Sequence, residues 1–333
     1  MTDFLNKNFI NEAEVDRSNF KIGFLALLGI IFSFLFGYFI NDFIIGGQSL
    51  YFYFGFACGI IFGAIFLLKA FFMKSSDKIF LIVFLESLAL FFGFFRQLSP
   101  VIGIAVFIAF LILISGIFGG KRELQNFLKI RFWKIGKVVL PKVILAITLV
   151  SSAAYFNNFY KNISLAEVQI LSKEAFERII APTDFMVKKF YPGFDFSLKA
   201  EDWIINMAKS QIEDSSAASV FPASAKSQLV KQASDQLKKS ITDFSGAPVN
   251  FGSKISEAIY DVVILKIKQM APKTKIVFMA SVSALIFLTV MGFILPIRWI
   301  MAALAFIIYE IFLAVGFATV AMEGRNREII ILK

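Results

Sequence analysis

The chain has 333 residues, of which 58% are hydrophobic and only 17% are charged, and its formal net charge is +10. Soluble domains are about half apolar and about a quarter charged, so this chain carries more apolar surface than a soluble fold needs. Histidine is absent and Cys58 is the single cysteine. This composition excludes a catalytic histidine, a His or Cys zinc site, a CxxC redox pair and an intrachain disulfide, and we expect no metal ion or cofactor.

Seven apolar runs approach or exceed the roughly 20 residues that a helix needs to cross a bilayer. They are Ile22–Ile40, Leu50–Phe72, Ile79–Phe95, Val101–Phe118, Val138–Phe156, Ile276–Leu295 and Ile297–Met322. The polar N-terminal arm, residues 1–21, lacks the pattern of a cleaved signal peptide and predicts that the first run is retained as an anchor. Pro141 and Lys142 lie near the start of the fifth run, so a re-entrant segment is the alternative to a full span there.

These runs predict an all-α polytopic integral membrane protein with about seven transmembrane helices. Five helices lie within residues 22–156 and two within residues 276–322, and residues 323–333 form a C-terminal tail. The stretch 157–275 between them has the size of a domain, and its apolar residues recur at helical spacing. We therefore expect a soluble helical extracytoplasmic domain inserted between the fifth and sixth spans. No internal repeat in it is long enough to argue from.

Basic residues in the short connections indicate the cytoplasmic side of a membrane protein. The N-terminal arm and the turns after the second and fourth runs are basic, whereas the connection after the first run has no basic residue. This pattern predicts a plasma (inner) membrane location, a cytoplasmic N-terminus and residues 157–275 outside. The tail residues Arg325, Arg327 and Lys333 oppose this arrangement, because seven spans would place them outside too. With a re-entrant fifth run, the insert and the tail would both be cytoplasmic.

Two glutamates lie inside apolar runs, where an ionisable side chain is costly and is a functional candidate. Glu86 is in the third run, and Lys69, near the end of the second, is its expected partner across the hairpin between them. Glu310 is near the middle of the last run and has no obvious basic partner. The functional interpretation is a pair of carboxylates that line one polar cavity and couple proton or cation transport. The structural alternative is an ion pair for Glu86 and an interhelical hydrogen bond for Glu310.

Gly55, Gly59 and Gly63 recur every four residues in the second run, which lets another helix approach closely. The pattern predicts either an internal packing seam or a face for self-association.

Residues 121–137 carry apolar side chains on one helical face and basic ones elsewhere, which is typical of an interfacial helix on an anionic leaflet. A docking helix for a cytoplasmic partner is the alternative. Its basic residues are Lys121, Arg122, Lys129, Arg131, Lys134 and Lys137. Nucleic acid is not an expected partner, because the excess positive charge lies beside the membrane runs.

The sequence contains no recognisable catalytic site: it has neither a Gly-x-Ser-x-Gly nucleophile turn nor a GxxxxGK[ST] phosphate loop. The leading prediction is a non-enzymatic multi-pass membrane protein, a scaffold or assembly subunit of a cell-envelope complex that contacts lipid and presents its outer domain to protein partners. The alternative is a secondary transporter or channel that uses Glu310 and possibly Glu86. An envelope enzyme is a third and weaker interpretation.

Overall fold

The computed structural model describes residues 19–125, 131–162, 173, 176–177, 187–189, 194–213, 222–246, 248–323 and 327–332. The chain divides into two compact units, here called the membrane unit, Met1–Lys161 with Phe278–Lys333, and the inserted unit, Asn162–Val277. The sequence places the inserted domain at 157–275. The described residues are mainly helical, and one two-stranded sheet lies near the C-terminus.

The described part of the membrane unit, from Asn19, begins with five helices that alternate in direction. They are α1 (Asn19–Gly46), α2 (Ser49–Phe72), α3 (Ser76–Gly93), α4 (Pro100–Gln125) and α5 (Phe132–Asn162), and a short 3-10 helix, Phe95–Gln97, follows α3. Gly47, with a φ of +67°, makes the tight turn between α1 and α2. A side chain with a Cβ is strained in that left-handed conformation, so glycine suits this turn.

The fifth apolar run is not folded back on itself. Pro141 lies inside α5, and the helix continues through it to Asn162, a total of 31 residues. A helix of that length is about 46 Å long, more than the thickness of a hydrocarbon core.

Six of the described helices are long and apolar enough to cross a membrane: α1, α2, α4, α5, and two C-terminal helices, Pro272–Gly292 and Ile294–Ala314. The third predicted run lies in α3, which has 18 residues and carries Asp77, Lys78 and Glu86. The chain is thus a mainly helical protein whose apolar helices suit a bilayer. Seven spans remain a prediction.

The two C-terminal helices, α9 (Pro272–Gly292) and α10 (Ile294–Ala314), are separated by Phe293 alone. The Phe293 N–H donates to the Thr289 carbonyl at 3.3 Å, and the Ile297 N–H donates to the Phe293 carbonyl at 3.2 Å, so helical hydrogen bonds flank the junction on both sides. Antiparallel helices need a connection of about 2–8 residues. The two apolar runs therefore follow one another as a nearly continuous helical stretch and do not form a hairpin.

The last apolar run is helical only as far as Ala314, not Met322. Gly316 then takes a φ of +70°, and the strands β1 (Ala318–Glu323) and β2 (Arg327–Leu332) pair in antiparallel register from Ala318↔Leu332 to Glu323↔Arg327. The β-branched residues in this segment favour strands. The all-α prediction did not include this hairpin.

Contacts fix the direction of α10 in the membrane unit. A methyl group on Gly63 of α2 would lie 2.6 Å from the Met301 sulfur, and the Phe72 ring, at the end of α2, lies 5.9 Å from that of Phe312. The Lys21 ammonium, near the start of α1, donates to the Phe317 carbonyl at 2.6 Å. Helix α10 thus runs parallel to α2, and its C-terminal end lies beside the start of α1. We call this the terminal end of the unit.

The opposite end of the membrane unit holds the end of α1, the 3-10 helix and the end of α5. The Asn157 amide donates to the Gln97 carbonyl at 2.8 Å, and the Asn158 amide donates to the Ile44 carbonyl at 3.4 Å. Helix α3 runs parallel to α1, because the Lys78 ammonium donates to Asn19 Oδ1 at one end and Gly93 packs on Gly37 towards the other.

The inserted unit contains α6 (Ala200–Glu213), α7 (Ala223–Ser245) and α8 (Ile255–Gln269). Helix α7 ends at Gly246, whose φ of +74° is the left-handed conformation in which many helices stop. Phe194, Ala200, Ile255 and Ala258 form a small buried cluster.

Candidate functional site

Lys69 of α2 and Glu86 of α3 form an ion pair in the interior of the membrane unit, the pairing that the hairpin predicts. The Lys69 ammonium donates to Glu86 Oε1, and both residues have no exposed surface. Aromatic rings enclose the lysine: its nitrogen lies 4.8 Å from the centre of the Phe66 ring and 5.8 Å from that of Phe62. The pair is therefore shielded from solvent within an apolar core.

Helix α1 closes the site with small residues at four-residue spacing, Gly29, Ser33 and Gly37. The Ser33 hydroxyl donates to the Glu86 carbonyl at 2.8 Å. A methyl group at Gly29 would overlap the Glu86 carboxylate, and one at Gly37 would lie 2.9 Å from the Leu90 carbonyl oxygen. Small side chains on α1 thus let α3 approach closely enough to bury the ion pair. This series of small residues was not predicted from the sequence, although its spacing equals that of the glycines in α2.

The arrangement holds three helices together. Taking two charges out of water is costly, and their attraction offsets that cost only when both are present. Glu86 Oε2 has no hydrogen-bond partner among the described residues, so Lys69 is the main compensation for the buried carboxylate. What this site can do chemically is to hold α2 and α3 in position through the attraction between the two charges.

Glu310 lies elsewhere. Its side chain is exposed on α10, and the helix ends four residues later, about 6 Å along its axis. The sequence had suggested a deeper position, because it extended the last helix to Met322. Tyr309 packs on Phe72 while its neighbour Glu310 points away from the core. Within the described residues, Glu86 and Glu310 do not line one cavity.

The glycines of α2 pack against the same chain. A methyl group at Gly55 would meet the Ile40 side chain at 2.8 Å, and one at Gly59 would meet the Phe36 ring at 3.0 Å. Gly63 faces Met301, and all three glycines are buried. These contacts favour the internal packing seam over a self-association face.

The basic segment 121–137 is not described as one helix. Lys121 and Arg122 belong to the last turn of α4, Arg131 precedes α5, and Lys134 and Lys137 are exposed on its first turns. Residues 126–130, including Lys129, lie outside the described residues. Phe132 and Ile135, expected on a lipid-facing side, are buried in the core. The Lys121 ammonium donates to the Lys74 carbonyl at 2.7 Å, which places this basic group at the terminal end.

A second ion pair lies at the opposite end. The Arg96 guanidinium donates to Asp42 Oδ1 at 2.8 Å, and Asp42 is buried whereas Arg96 is half exposed. Asn41 and Gln97 beside them are buried, and their amide groups have no partner among the described residues. This cluster was not predicted from the sequence, because the first apolar run stops at Ile40 whereas α1 continues to Gly46.

Among the described residues, no group of three or more Asp, Glu or Cys side chains is arranged to hold a metal ion. No protein-family model, no curated protein and no solved structure matches this chain.

Proposed function

We propose that this protein is a non-enzymatic scaffold or assembly subunit that holds a helical unit at a membrane surface and presents it to protein partners. The observation that carries the proposal is the division of the chain. A compact unit, Asn162–Val277, interrupts a bundle of apolar helices. The buried ion pair of that bundle, Lys69 with Glu86, is enclosed by close helix contacts and is suited to holding helices.

We further propose that the terminal end of the membrane unit is cytoplasmic. Lys21, Lys74 and Lys121 lie there, whereas Arg96 and Lys161 lie at the opposite end, where Arg96 is close to the acidic Asp42. Basic residues are enriched on the cytoplasmic side of membrane proteins. In this arrangement the crossings are α1 to α5 and α10, and α9 leads into α10 without a crossing of its own.

With six crossings, the positive charge of the C-terminal tail no longer conflicts with a cytoplasmic N-terminus. Because the start of α1 and the end of α10 lie on the same side, we expect the basic C-terminal tail, residues 323–333, to be cytoplasmic, as its charge favours. The inserted unit follows α5, which ends at the opposite end, so it is extracytoplasmic in a plasma (inner) membrane.

Cysteine labelling tests this orientation. In a Cys58→Ser background, Ser227→Cys in α7 and Ser76→Cys at the start of α3 each place one thiol at an exposed position. We expect a membrane-impermeant maleimide to label Ser227→Cys in intact cells and Ser76→Cys only after lysis. The reverse pattern would overturn the orientation.

Site-specific photo-crosslinking in cells tests the scaffold role. A photoreactive amino acid replaces Phe244, which is 73% exposed in the inserted unit, and the matched control replaces Phe107, which is 61% exposed on α4. We expect a discrete protein adduct at Phe244 that is absent at Phe107. No protein adduct at Phe244, combined with a monomer after solubilisation, would contradict the proposal.

The transport alternative receives less support from the geometry. A coupling site needs ionisable groups on a polar path, but Glu86 is enclosed with Lys69 and Glu310 lies on the exposed side of α10 near its end.

A further inference from the structure

Helices α6 and α8 of the inserted unit begin in the same way. Residues 194–200 and 249–255 pass through the same series of turn, bend and bridge before a helix starts, and Ile255 comes 55 residues after Ala200. Four pairs of residues are identical at this offset: Phe196 and Phe251, Lys199 and Lys254, Ile204 and Ile259, and Ile212 and Ile267.

The two turns use the same hydrogen bonds. Asp195 Oδ1 accepts from the Ser197 N–H at 2.8 Å, and Asn250 Oδ1 accepts from the Gly252 N–H at 3.0 Å. Asp and Asn favour this turn because their short side chains reach the backbone two residues later. The same offset of 55 residues therefore relates the side chains that shape both turns.

The two segments also pair with each other reciprocally. The Ala200 N–H donates to the Ser253 carbonyl at 3.0 Å, and the equivalent Ile255 N–H donates to the equivalent Leu198 carbonyl at 2.9 Å. A second pair of bonds obeys the same rule, Glu201 to Phe251 at 2.9 Å and Ser256 to Phe196 at 3.2 Å. Lys199 and Lys254 form an antiparallel bridge at the centre. Exchange of equivalent residues reproduces the contacts, which is the pattern of an isologous two-fold interface.

The apolar side chains follow the same symmetry. Eight of the ten residues in the buried cluster and its packing shell form equivalent pairs, namely Phe194 and Val249, Phe196 and Phe251, Ala200 and Ile255, and Trp203 and Ala258. Leu198 and Val187 also pack there, and neither has an apolar equivalent. Each segment supplies four of the eight paired residues of this small core.

We infer that the inserted unit contains two copies of one self-pairing element, residues 194–213 and 249–269. We call their interface the clasp; it is formed by residues 194–203 and 249–258. The clasp is an interaction surface whose fitting partner is a second copy of the same element, here supplied by the same chain. This inference rests on hydrogen-bond and packing symmetry, and it stands whether or not the protein is a scaffold.

An exchange chimera tests the equivalence in the full chain. Residues 195–201 receive the sequence of 250–256, and residues 250–256 receive that of 195–201, so composition is unchanged and both central lysine positions are kept. The matched control carries the same two exchanged segments with their residue order reversed. Because a two-fold axis maps the clasp onto itself, the exchange chimera keeps the contacts between the segments, and the control loses them.

The readout is a disulfide across the clasp. In every variant, cysteines replace whichever residues occupy positions 199 and 254, in the Cys58→Ser background. Opposed residues of an antiparallel bridge bring their Cβ atoms within about 4.5–5.5 Å, and a small adjustment allows a disulfide. We expect the oxidised fraction of the exchange chimera to stay within about twofold of that of the parent, with little disulfide in the reversed control. A chimera that behaves like the reversed control overturns the inference.

The size of the oxidised species says where the pairing occurs. A disulfide within one chain supports the intrachain clasp as described. A disulfide between two chains overturns the intrachain assignment and shows that the elements pair between copies by exchange.

Discussion

Gly29 on α1 lies directly against the Glu86 carboxylate of α3, where Lys69 reaches the same group from α2. Three helices meet at a charge that is buried without solvent contact. The close approach of α1 to α3 and the pairing of the two charges support each other. Separate substitutions can test each of them.

Gly29→Ala is expected to destabilise the membrane unit by about 1–3 kcal/mol, because the added methyl group overlaps the Glu86 carboxylate and overpacking costs about that much. Gly23 on the same helix is the matched control, since no atom lies within 4 Å of the position of an added Cβ. Gly23→Ala should leave stability unchanged or raise it slightly, as alanine favours helix. Thermal unfolding in detergent measures both, and equal effects of the two substitutions would contradict the packing described at Gly29.

Removal of one member of the ion pair should cost more than removal of both. Lys69→Met leaves the Glu86 carboxylate buried and unpaired, which is expected to cost about 3–5 kcal/mol, whereas Lys69→Met with Glu86→Met should recover most of the loss. Glu310→Gln is the control, because this glutamate is exposed on α10. A double variant as unstable as the single variants would show that the pair does more than compensate its own charges.

Two buried glycines should differ in their tolerance of alanine. A methyl group at Gly93 would lie 2.7 Å from the Phe34 carbonyl oxygen and 2.8 Å from Gly37 Cα, so backbone would have to move. At Gly63 the nearest atom is the Met301 sulfur, at the end of a flexible side chain. We expect Gly93→Ala to lower the unfolding temperature clearly more than Gly63→Ala. The opposite order would indicate that α1 and α3 are not in backbone contact.

Asp195 gives the inserted unit a dependence on acid pH. Hydrogen bonds from Ser197 and from Lys188 lower the pKa of the Asp195 carboxyl to about 2. Because the pKa is lower in the folded state than in the unfolded chain, this contribution to stability is present above about pH 4 and is lost as the pH falls towards 2. Asn250 makes the equivalent turn, so Asp195→Asn should fold and lack this part of the acid dependence.

The fluorescence of Trp203 reports on the inserted unit when Trp133 and Trp299 are replaced by Phe. Unfolding temperatures of the parent and of Asp195→Asn, measured from pH 6 to pH 2, should converge or cross below about pH 4. A constant difference over this range would contradict the assigned role of the carboxylate.

Local sequence patterns predicted the features that depend on neighbours in the chain. The apolar runs predicted most of the helices, and the hairpin between the second and third runs predicted that Lys69 pairs with Glu86. In each case the deciding interaction lies within one helix, one turn or one hairpin.

Features that depend on distant contacts were not predictable from these patterns. The sequence predicted Glu310 near the middle of a helix because the apolar run continues past Ala314. Hydropathy does not distinguish a helix from a β-hairpin in such a run, so the true end of the helix was not predictable. The direction of α10 is evident only from its contacts with α2, which lies far away in the sequence. The sequence did not predict the paired elements at 194–213 and 249–269. Most of their equivalent contacts are hydrogen bonds to the backbone, and backbone hydrogen bonds restrict the choice of side chains only weakly.

The contact between Lys21 and Phe317 also sets an order of assembly. The two residues are separated by 296 positions, and synthesis at about 5–20 residues per second needs roughly 15–60 s to cover that distance. During this interval α1 and α2 are already made, but the face of α2 at Gly63 has not yet met Met301. Within the described residues, this seam on α2 can therefore close only after α10 has been made.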